Sequence, residues 1–150
     1  MKGFKFKLDG LLKVREFKEK KLKIELGEIL KEITSTEDYV KTLVSNIEET
    51  YKAQEEFLSS PTAGEMIKFF PRFIEIKKEE IKNKKNLIYS LQKKFDQKQT
   101  ELGVARGEVK VIENLKEKKT TEYKKKLDKK HLESVEELNQ IRRLLKESQS

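Results

Sequence analysis

The stretch IEIKKEEIKNKKNLIYSLQKKFDQKQTELGVARGEV, residues 74–109, carries a large apolar side chain at every seventh position. Of the positions three residues further on, half are apolar and half are lysine. Such a repeat, on a surface otherwise rich in Lys and Glu, is the seam of a coiled coil. The stretch therefore predicts a long helix that buries one narrow face. The repeat comprises Ile74, Ile81, Ile88, Phe95, Leu102 and Val109, with companions Lys77, Lys84, Leu91, Lys98, Ala105 and Ile112.

A second repeat runs through the first part of the chain. From Leu8, alternating steps of four and three residues predict a seam of Leu8, Leu12, Arg15, Glu19, Leu22, Leu26, Ile29, Ile33, Thr36, Val40, Leu43, Ile47, Thr50, Gln54 and Phe57. Most of these positions are apolar, although the chain as a whole is only 35% hydrophobic. At Arg15 and Glu19 the seam fails, and Val14 and Phe17 indicate a sideways shift of the stripe. Residues 1–7 are interpreted as the lead-in to this helix, with Asp9 as a cap or first-turn carboxylate.

One cluster of helix-breaking residues separates the two repeats. The segment SSPTAGE, residues 59–65, brings Ser, Pro, Thr and Gly together, and Pro71 suits the first turn of a new helix. We expect an all-α fold: one elongated coiled-coil domain, residues 1–150, with helices at about 8–58 and 72–147 and a connection at about 59–71. Exposing either apolar stripe to water is unfavourable, and the connection between the helices is short. The two helices must therefore fold back on each other as an antiparallel hairpin. A fold at about residue 65 places Leu8 beside a position at about Tyr123.

The second helix is predicted to be longer and to overhang at the C-terminus. Its heptad phase fails between residues 116 and 130 and resumes at Leu127, 18 residues after Val109. Two heptads plus four residues is a stutter, which locally unwinds a supercoil. Residues beyond Tyr123 have no partner on the first helix, so their stripe is an expected partner-binding surface, unless it frays or self-associates. The resumed stripe comprises Leu127, His131, Ser134, Leu138, Ile141 and Leu145.

Composition excludes most enzymatic chemistry. The chain is 41% charged, has a net charge of +8, and contains no cysteine and a single histidine, His131. Thiol chemistry, Cys-based zinc sites and two-His metal sites are therefore excluded. We expect no catalytic, cofactor-binding or metal residues and no enzyme activity. No apolar run is long enough for a membrane span, and residues 1–13 lack the apolar core of a secretory signal, so a cytoplasmic protein is expected.

The lysine-rich block at residues 116–130 is the best candidate for nucleic-acid binding, because basic helices attract phosphates. Its lysines alternate with Glu and Asp, and only Tyr123 could stack on a base. A solvated helix face is favoured, and no specific nucleic-acid partner is expected.

Aromatic residues are concentrated around the turn. Two helices alone cannot cover so many rings. Two interpretations stay open: rings fold back to plug the hairpin tip, or they form an exposed docking patch of the kind that interfaces use. The expected docking residues are Phe69, Phe70, Phe73 and Ile74, beside Met66 and Ile76.

The two ends of the chain resemble the flagellar export protein family FliJ. The opening FKFKLDGLLKVRE, residues 4–16, is similar to the family's F-x-F-x-L-x-x-L-L-x-x-R-E pattern. The ending HLESVEELNQIRR, residues 131–143, resembles the family's closing segment through Glu137, Leu138, Arg142 and Arg143. Chain length and unequal arms agree with the same family.

The resemblance implies a non-enzymatic, stalk-like part of the flagellar type III export apparatus. In this family the end holding both termini enters the pore of the hexameric export ATPase, and the cytoplasmic domain of the export gate docks near the start of the second helix. Export chaperones are further partners. The protein would then be cytoplasmic and held at the inner face of the membrane, at the flagellar base, through protein partners.

In this sequence the start of the gate contact matches at Phe73 and Ile74. The next turns carry Lys77, Glu80 and Lys84, where more apolar or neutral residues would match the family better. The ATPase contact falls on the C-terminal stripe, where arginines can pair with pore carboxylates. Two other functions stay open: a basic coiled-coil nucleic-acid-binding protein and a generic coiled-coil scaffold. The expected ATPase-binding residues are Leu138, Ile141, Arg142, Arg143 and Leu145.

Overall fold

The computed structural model describes residues 3–59, 64 and 67–149. Over these residues the chain forms two α-helices, α1 at Asp9–Leu58 and α2 at Phe69–Gln149. The all-α hairpin with a longer second helix is thereby confirmed. Residues 3–8 precede α1 as a non-strand lead-in, and Asp9 supplies the carboxylate of its first turn.

α2 begins at Phe69, a few residues before the predicted start at about residue 72. Pro71 is consequently inside the first turn. This position tolerates proline, because the first N–H groups of a helix have no intrahelical acceptor. At the other side of the connection, the Ser59 hydroxyl donates to the carbonyl of Glu56 at 2.7 Å. Most of the predicted breaker cluster, residues 60–63 and 65, lies outside the described residues.

The chain divides into two compact units, Lys20–Gly103 and the pair Met1–Glu19 with Val104–Ser150. Within Lys20–Gly103, the core follows the predicted seam. Ile29 and Ile33 of α1 pack on Leu91 of α2, with Ile88 and Phe95 against them. Contacts between early α1 residues and late α2 residues establish that the two helices run antiparallel here.

Two polar residues on the seam of this unit, Thr36 and Lys98, each have a polar partner. Thr36, the one buried polar residue of the described core, donates its hydroxyl to the carbonyl of Glu32 at 2.7 Å. Lys98 occupies a seam position and reaches Glu25 across the helix pair at 3.0 Å. The hydrogen bond to Glu25 is the main reason why the pKa of Lys98 is raised. Lysines on the seam thus bury their methylene stems and pair their ammonium groups at the rim.

The unit formed by Met1–Glu19 and Val104–Ser150 has its own small core. Phe6 of the lead-in and Leu12 of α1 pack with Val109 and Ile112 of α2. Ion pairs flank this core and show the register of the two helices. They join Asp9 to Lys116 at 2.9 Å, Arg15 to Glu108 at 2.5 Å and Glu19 to Arg106 at 3.5 Å.

The expected sideways shift of the α1 stripe is wrong. Val14 and Phe17 are exposed, whereas Arg15 and Glu19 are half-buried on the uninterrupted seam. The physical reason is that each of these two charged residues finds an opposite charge on α2, so both can occupy the seam without leaving an unpaired charge.

The predicted register was also wrong. Leu8 was expected beside Tyr123, but the ring of Phe4 contacts Tyr123, with centroids 5.3 Å apart, and Asp9 pairs with Lys116. The start of α1 therefore lies about two turns nearer the beginning of α2 than predicted. As a result the lead-in residues, rather than α1 itself, cover the segment of α2 around Tyr123.

The stutter in α2 is visible in the burial pattern. After Ile112, the half-buried positions are Lys116, Thr120, Tyr123 and Leu127, so two four-residue steps follow each other. Every described residue beyond Leu127, from 128 to 149, is exposed while remaining helical. This C-terminal segment of α2 makes no packing contact with α1.

We predict that Leu43→Ala lowers the free energy of unfolding by about 2–5 kcal/mol, because the Leu43 side chain is only 1% exposed and its truncation leaves a cavity. Leu30→Ala is the matched control, since Leu30 lies on the same helix but is 53% exposed. The control should change stability by less than about 1 kcal/mol. Urea unfolding followed by circular dichroism measures both, and equal losses would contradict the assigned seam.

Candidate partner-binding surfaces

The structure separates the four expected tip residues into two pairs. Phe70 and Ile74 are buried, at 9% and 6% exposure, whereas Phe69 is 53% exposed and Phe73 is half-buried. The ring of Phe70 packs against Phe57 of α1 with centroids 5.8 Å apart. Phe70 and Ile74 therefore belong to the hairpin core.

Phe69 and Phe73 form the accessible part of the tip. Their rings are stacked with centroids 5.9 Å apart, and Lys77 lies over the Phe73 ring at 5.3 Å. Together with Phe70 they line an open hollow of about 500 Å³ against α1. Ile76 is also exposed, and Met66 lies outside the described residues. The tip thus offers two stacked rings rather than a broad aromatic patch.

Lys77, Glu80 and Lys84, which depart from the family pattern, take part in contacts within the hairpin. The Tyr39 hydroxyl donates to the Glu80 carboxylate, Lys77 lies 3.7 Å from that carboxylate, and Lys84 lies over the Tyr39 ring at 5.3 Å. The hydrogen bond from Tyr39 is the largest cause of the lowered pKa of Glu80, and the same bond raises the pKa of Tyr39. These polar residues therefore link α1 to α2 just beyond the tip.

The C-terminal stripe is fully accessible. Leu138, Ile141 and Leu145 lie on one face of α2 and are each more than half exposed, and Arg142 and Arg143 beside them are exposed as well. Leu132, Val135 and Leu144 widen the apolar face. The structure thus places all five expected residues on one unpaired helical segment.

A further apolar surface escaped the sequence analysis. In the unit that contains the termini, Leu11 and Val14 of α1 and Val111 and Leu115 of α2 are exposed. The sequence does contain a pattern that could have predicted this surface: Val104 and Val111 are seven residues apart and lie outside the seam. Both valines are exposed in the structure. The pattern was overlooked because Val14 was assigned to a displaced seam rather than to a second face.

The lysine block at residues 116–130 is partly neutralised within the protein. Lys116 pairs with Asp9, and Lys119 lies 3.8 Å from Glu122. His131 is exposed on the overhanging segment. Across the described part of the chain, no group of three or more His, Asp or Glu residues is arranged to hold a metal ion. Neither described helix has a stretch long and apolar enough to cross a membrane.

We predict that Tyr39→Phe raises the pKa of Glu80 towards its ordinary value, because its main stabilising hydrogen bond is lost. In the parent protein this carboxylate has a lowered pKa, so its contribution to stability is present above the unfolded-state pKa and is lost as the pH falls through the folded-state pKa. Titration of the Glu80 side chain by NMR measures the shift. Tyr51→Phe is the matched control, and an unchanged Glu80 titration in the Tyr39 variant would refute the assigned bond.

Comparison with known proteins gives the context for these surfaces. The family model described as "Flagellar FliJ protein" matches residues 4–148, which is nearly the whole chain. Comparisons with curated proteins and with solved structures gave no significant match. The family consists of non-catalytic components of the flagellar export apparatus. With its family match from the lead-in to the last turn of α2, the chain belongs to the FliJ family of flagellar protein-export components.

Proposed function

We propose that this protein is a stalk-like regulator that inserts its C-terminal segment into the pore of the hexameric export ATPase and stimulates hydrolysis. In the same proposal the tip contacts the cytoplasmic domain of the export gate, and export chaperones are additional partners. The protein would then stay in the cytoplasm and be held at the inner face of the membrane, at the flagellar base, through those partners. Family membership supports the setting, and the surfaces described above support the contacts.

The observation that carries the proposal is the unpaired stripe on residues 128–149. Leu138, Ile141 and Leu145 stay helical although no part of α1 covers them. Burying such side chains against a partner is favourable by roughly 25 cal/mol for each Å² of apolar surface removed from water. A helix about 33 Å long, at about 1.5 Å per residue, is long enough to enter a protein pore.

The charges beside the stripe suit a pore lined by carboxylates. Arg142 and Arg143 are exposed and positively charged. Guanidinium groups bind carboxylates through two parallel hydrogen bonds, which adds orientation to the attraction. The apolar stripe would provide most of the affinity, and the arginines would help to set the position of the helix.

Stimulation would follow from mass action. A rod that binds the assembled ring but not the separate subunits stabilises the hexamer in proportion to its occupancy. Because hydrolysis requires the assembled ring, assembly and activity rise together. No group of this protein needs to take part in the chemistry of ATP hydrolysis.

We predict that Leu138→Asp/Ile141→Asp abolishes ATPase stimulation, because two carboxylates cannot be buried against the pore. Leu30→Asp/Ile24→Asp is the matched control, with the same residue types at similar exposure on α1. Arg142→Glu/Arg143→Glu should weaken stimulation more at low salt than at high salt, since salt screens exposed charges. Phosphate release by the cognate ATPase is the measurement. Undiminished stimulation by a chain truncated after Lys130 would exclude the C-terminal segment as the ATPase-binding element.

At the tip, we predict that Phe73→Ala weakens binding to the gate's cytoplasmic domain while leaving helicity and ATPase stimulation nearly intact. Phe70→Ala is the informative comparison, because its buried ring should cost about 3–5 kcal/mol of stability when removed. Calorimetric titration with the gate domain and thermal melting separate the two effects. If Phe73→Ala destabilises the hairpin as much as Phe70→Ala does, Phe73 is a core residue and the gate contact lies elsewhere.

A further inference from the structure

The two sides of the helix pair differ in the unit formed by Met1–Glu19 and Val104–Ser150. Around the α1 seam, Leu11 and Val14 flank one side and Lys13 and Glu16 the other, as the 100° step between residues requires. Around the α2 seam, Val104, Val111 and Leu115 flank one side, and Arg106, Lys110 and Glu113 the other. One side is therefore apolar and the other is charged.

The ion pairs between α1 and α2 show which residues of the two apolar flanks are level with each other. Asp9 lies against Lys116 and Glu19 against Arg106, so residues whose numbers add up to about 125 are level with each other. In an antiparallel pair the flanks of the same kind meet on the same side. Leu11 is therefore level with Leu115, and Val14 with Val111, along one groove. Val14 and Val111 are 65% and 68% exposed, so nothing in the described part of the chain covers them.

A cavity of about 410 Å³ lies at one end of this groove. Phe4, Phe6 and Leu8 of the lead-in segment form its apolar wall, and Leu115 belongs to both the groove and the cavity. An apolar groove with a cavity at one end can bind an amphipathic helix whose large apolar side chain enters the cavity.

The charges around the groove select the partner. Lys5 and Lys7 line the cavity and are exposed, and Lys18 lies on the apolar side of α1 next to Val14. The carboxylates on this side are already paired, Glu108 with Arg15 and Glu122 with the cavity residue Lys119. The rim thus presents uncompensated positive charge, which favours a helix whose apolar face is bordered by Asp and Glu.

From this juxtaposition we propose that the groove between Leu11–Val14 and Val111–Leu115 is a docking site for an acidic amphipathic helix of a partner protein. The bound helix lies along α1 and α2 and completes a local three-helix bundle, with a large apolar side chain in the cavity behind Leu115. The groove and the C-terminal stripe share no residue, so a peptide titration tests the groove without the ATPase.

The experiment titrates the full-length protein into a fluorescently labelled helical peptide of about three heptads, with Leu at the a and d positions and Glu at the flanking positions. Mutual repulsion between the glutamates keeps the free peptide monomeric at neutral pH. A second peptide with Lys in place of every Glu is the charge control. Fluorescence anisotropy reports binding, and circular dichroism verifies that each protein variant remains helical.

The critical variant is Val14→Glu/Val111→Glu. It should weaken binding of the acidic peptide about tenfold or more, because it removes apolar surface and adds negative charge to the groove. Lys13→Gln/Lys110→Gln changes the net charge by the same amount on the opposite side and should alter binding by less than about threefold. The Lys peptide should bind much more weakly than the Glu peptide.

Three results would overturn the proposal. The first is equal binding of the two peptides. The second is loss of binding in Leu138→Asp/Ile141→Asp, which would place the peptide on the C-terminal stripe. The third is concentration-dependent dimerisation of the parent protein, measured by sedimentation equilibrium, that Val14→Glu/Val111→Glu abolishes. In that case the groove is covered by a second copy of the chain.

Discussion

The whole molecule depends on a narrow apolar seam between two helices. Only 35% of the residues are hydrophobic, which is too few for a core made of several layers. They are enough for a single row of apolar contacts between the two helices. Residues such as Leu22, Ile29, Leu43 and Leu91 carry that row. Even charged residues on the seam are accommodated, because Arg15, Glu19 and Lys98 each have an opposite charge across the interface. Outside the seam, most of the described residues are exposed.

The periodicity of the sequence was sufficient to identify the seam. All of the predicted α1 positions except Leu8 are buried or half-buried, and so are the predicted α2 positions from Ile74 to Ile112. Periodicity works here because a helix that packs along a single line repeats its contacts every three or four residues. The stutter after Ile112 was predictable for the same reason, because it shifts the heptad phase while α2 continues as a regular helix.

Register and the fate of the tip aromatics could not be read from the sequence. Register depends on where the chain reverses, and a difference of a few residues there moved the partner of Tyr123 from Leu8 to Phe4. At the tip, Phe69 and Phe70 are neighbours of the same residue type. Because their side chains point in different directions, Phe70 packs on Phe57 whereas Phe69 is exposed to water. The prediction that the seam shifts to Val14 was wrong for a related reason. The sequence does not show that Arg15 forms an ion pair with Glu108, which allows Arg15 to stay on the seam.

The exposed helix beyond Leu127 has a consequence for the protein's local stability. Its backbone hydrogen bonds are not shielded by packing against α1, so they depend on helix propensity and on contacts within the segment. Amide protons in residues 128–149 should then exchange through local fraying, while those around Leu43 exchange only when the helix pair opens. A partner that packs against this segment would then complete its ordering. Its binding should therefore carry a large favourable enthalpy offset by an ordering entropy, and should weaken steeply with rising temperature.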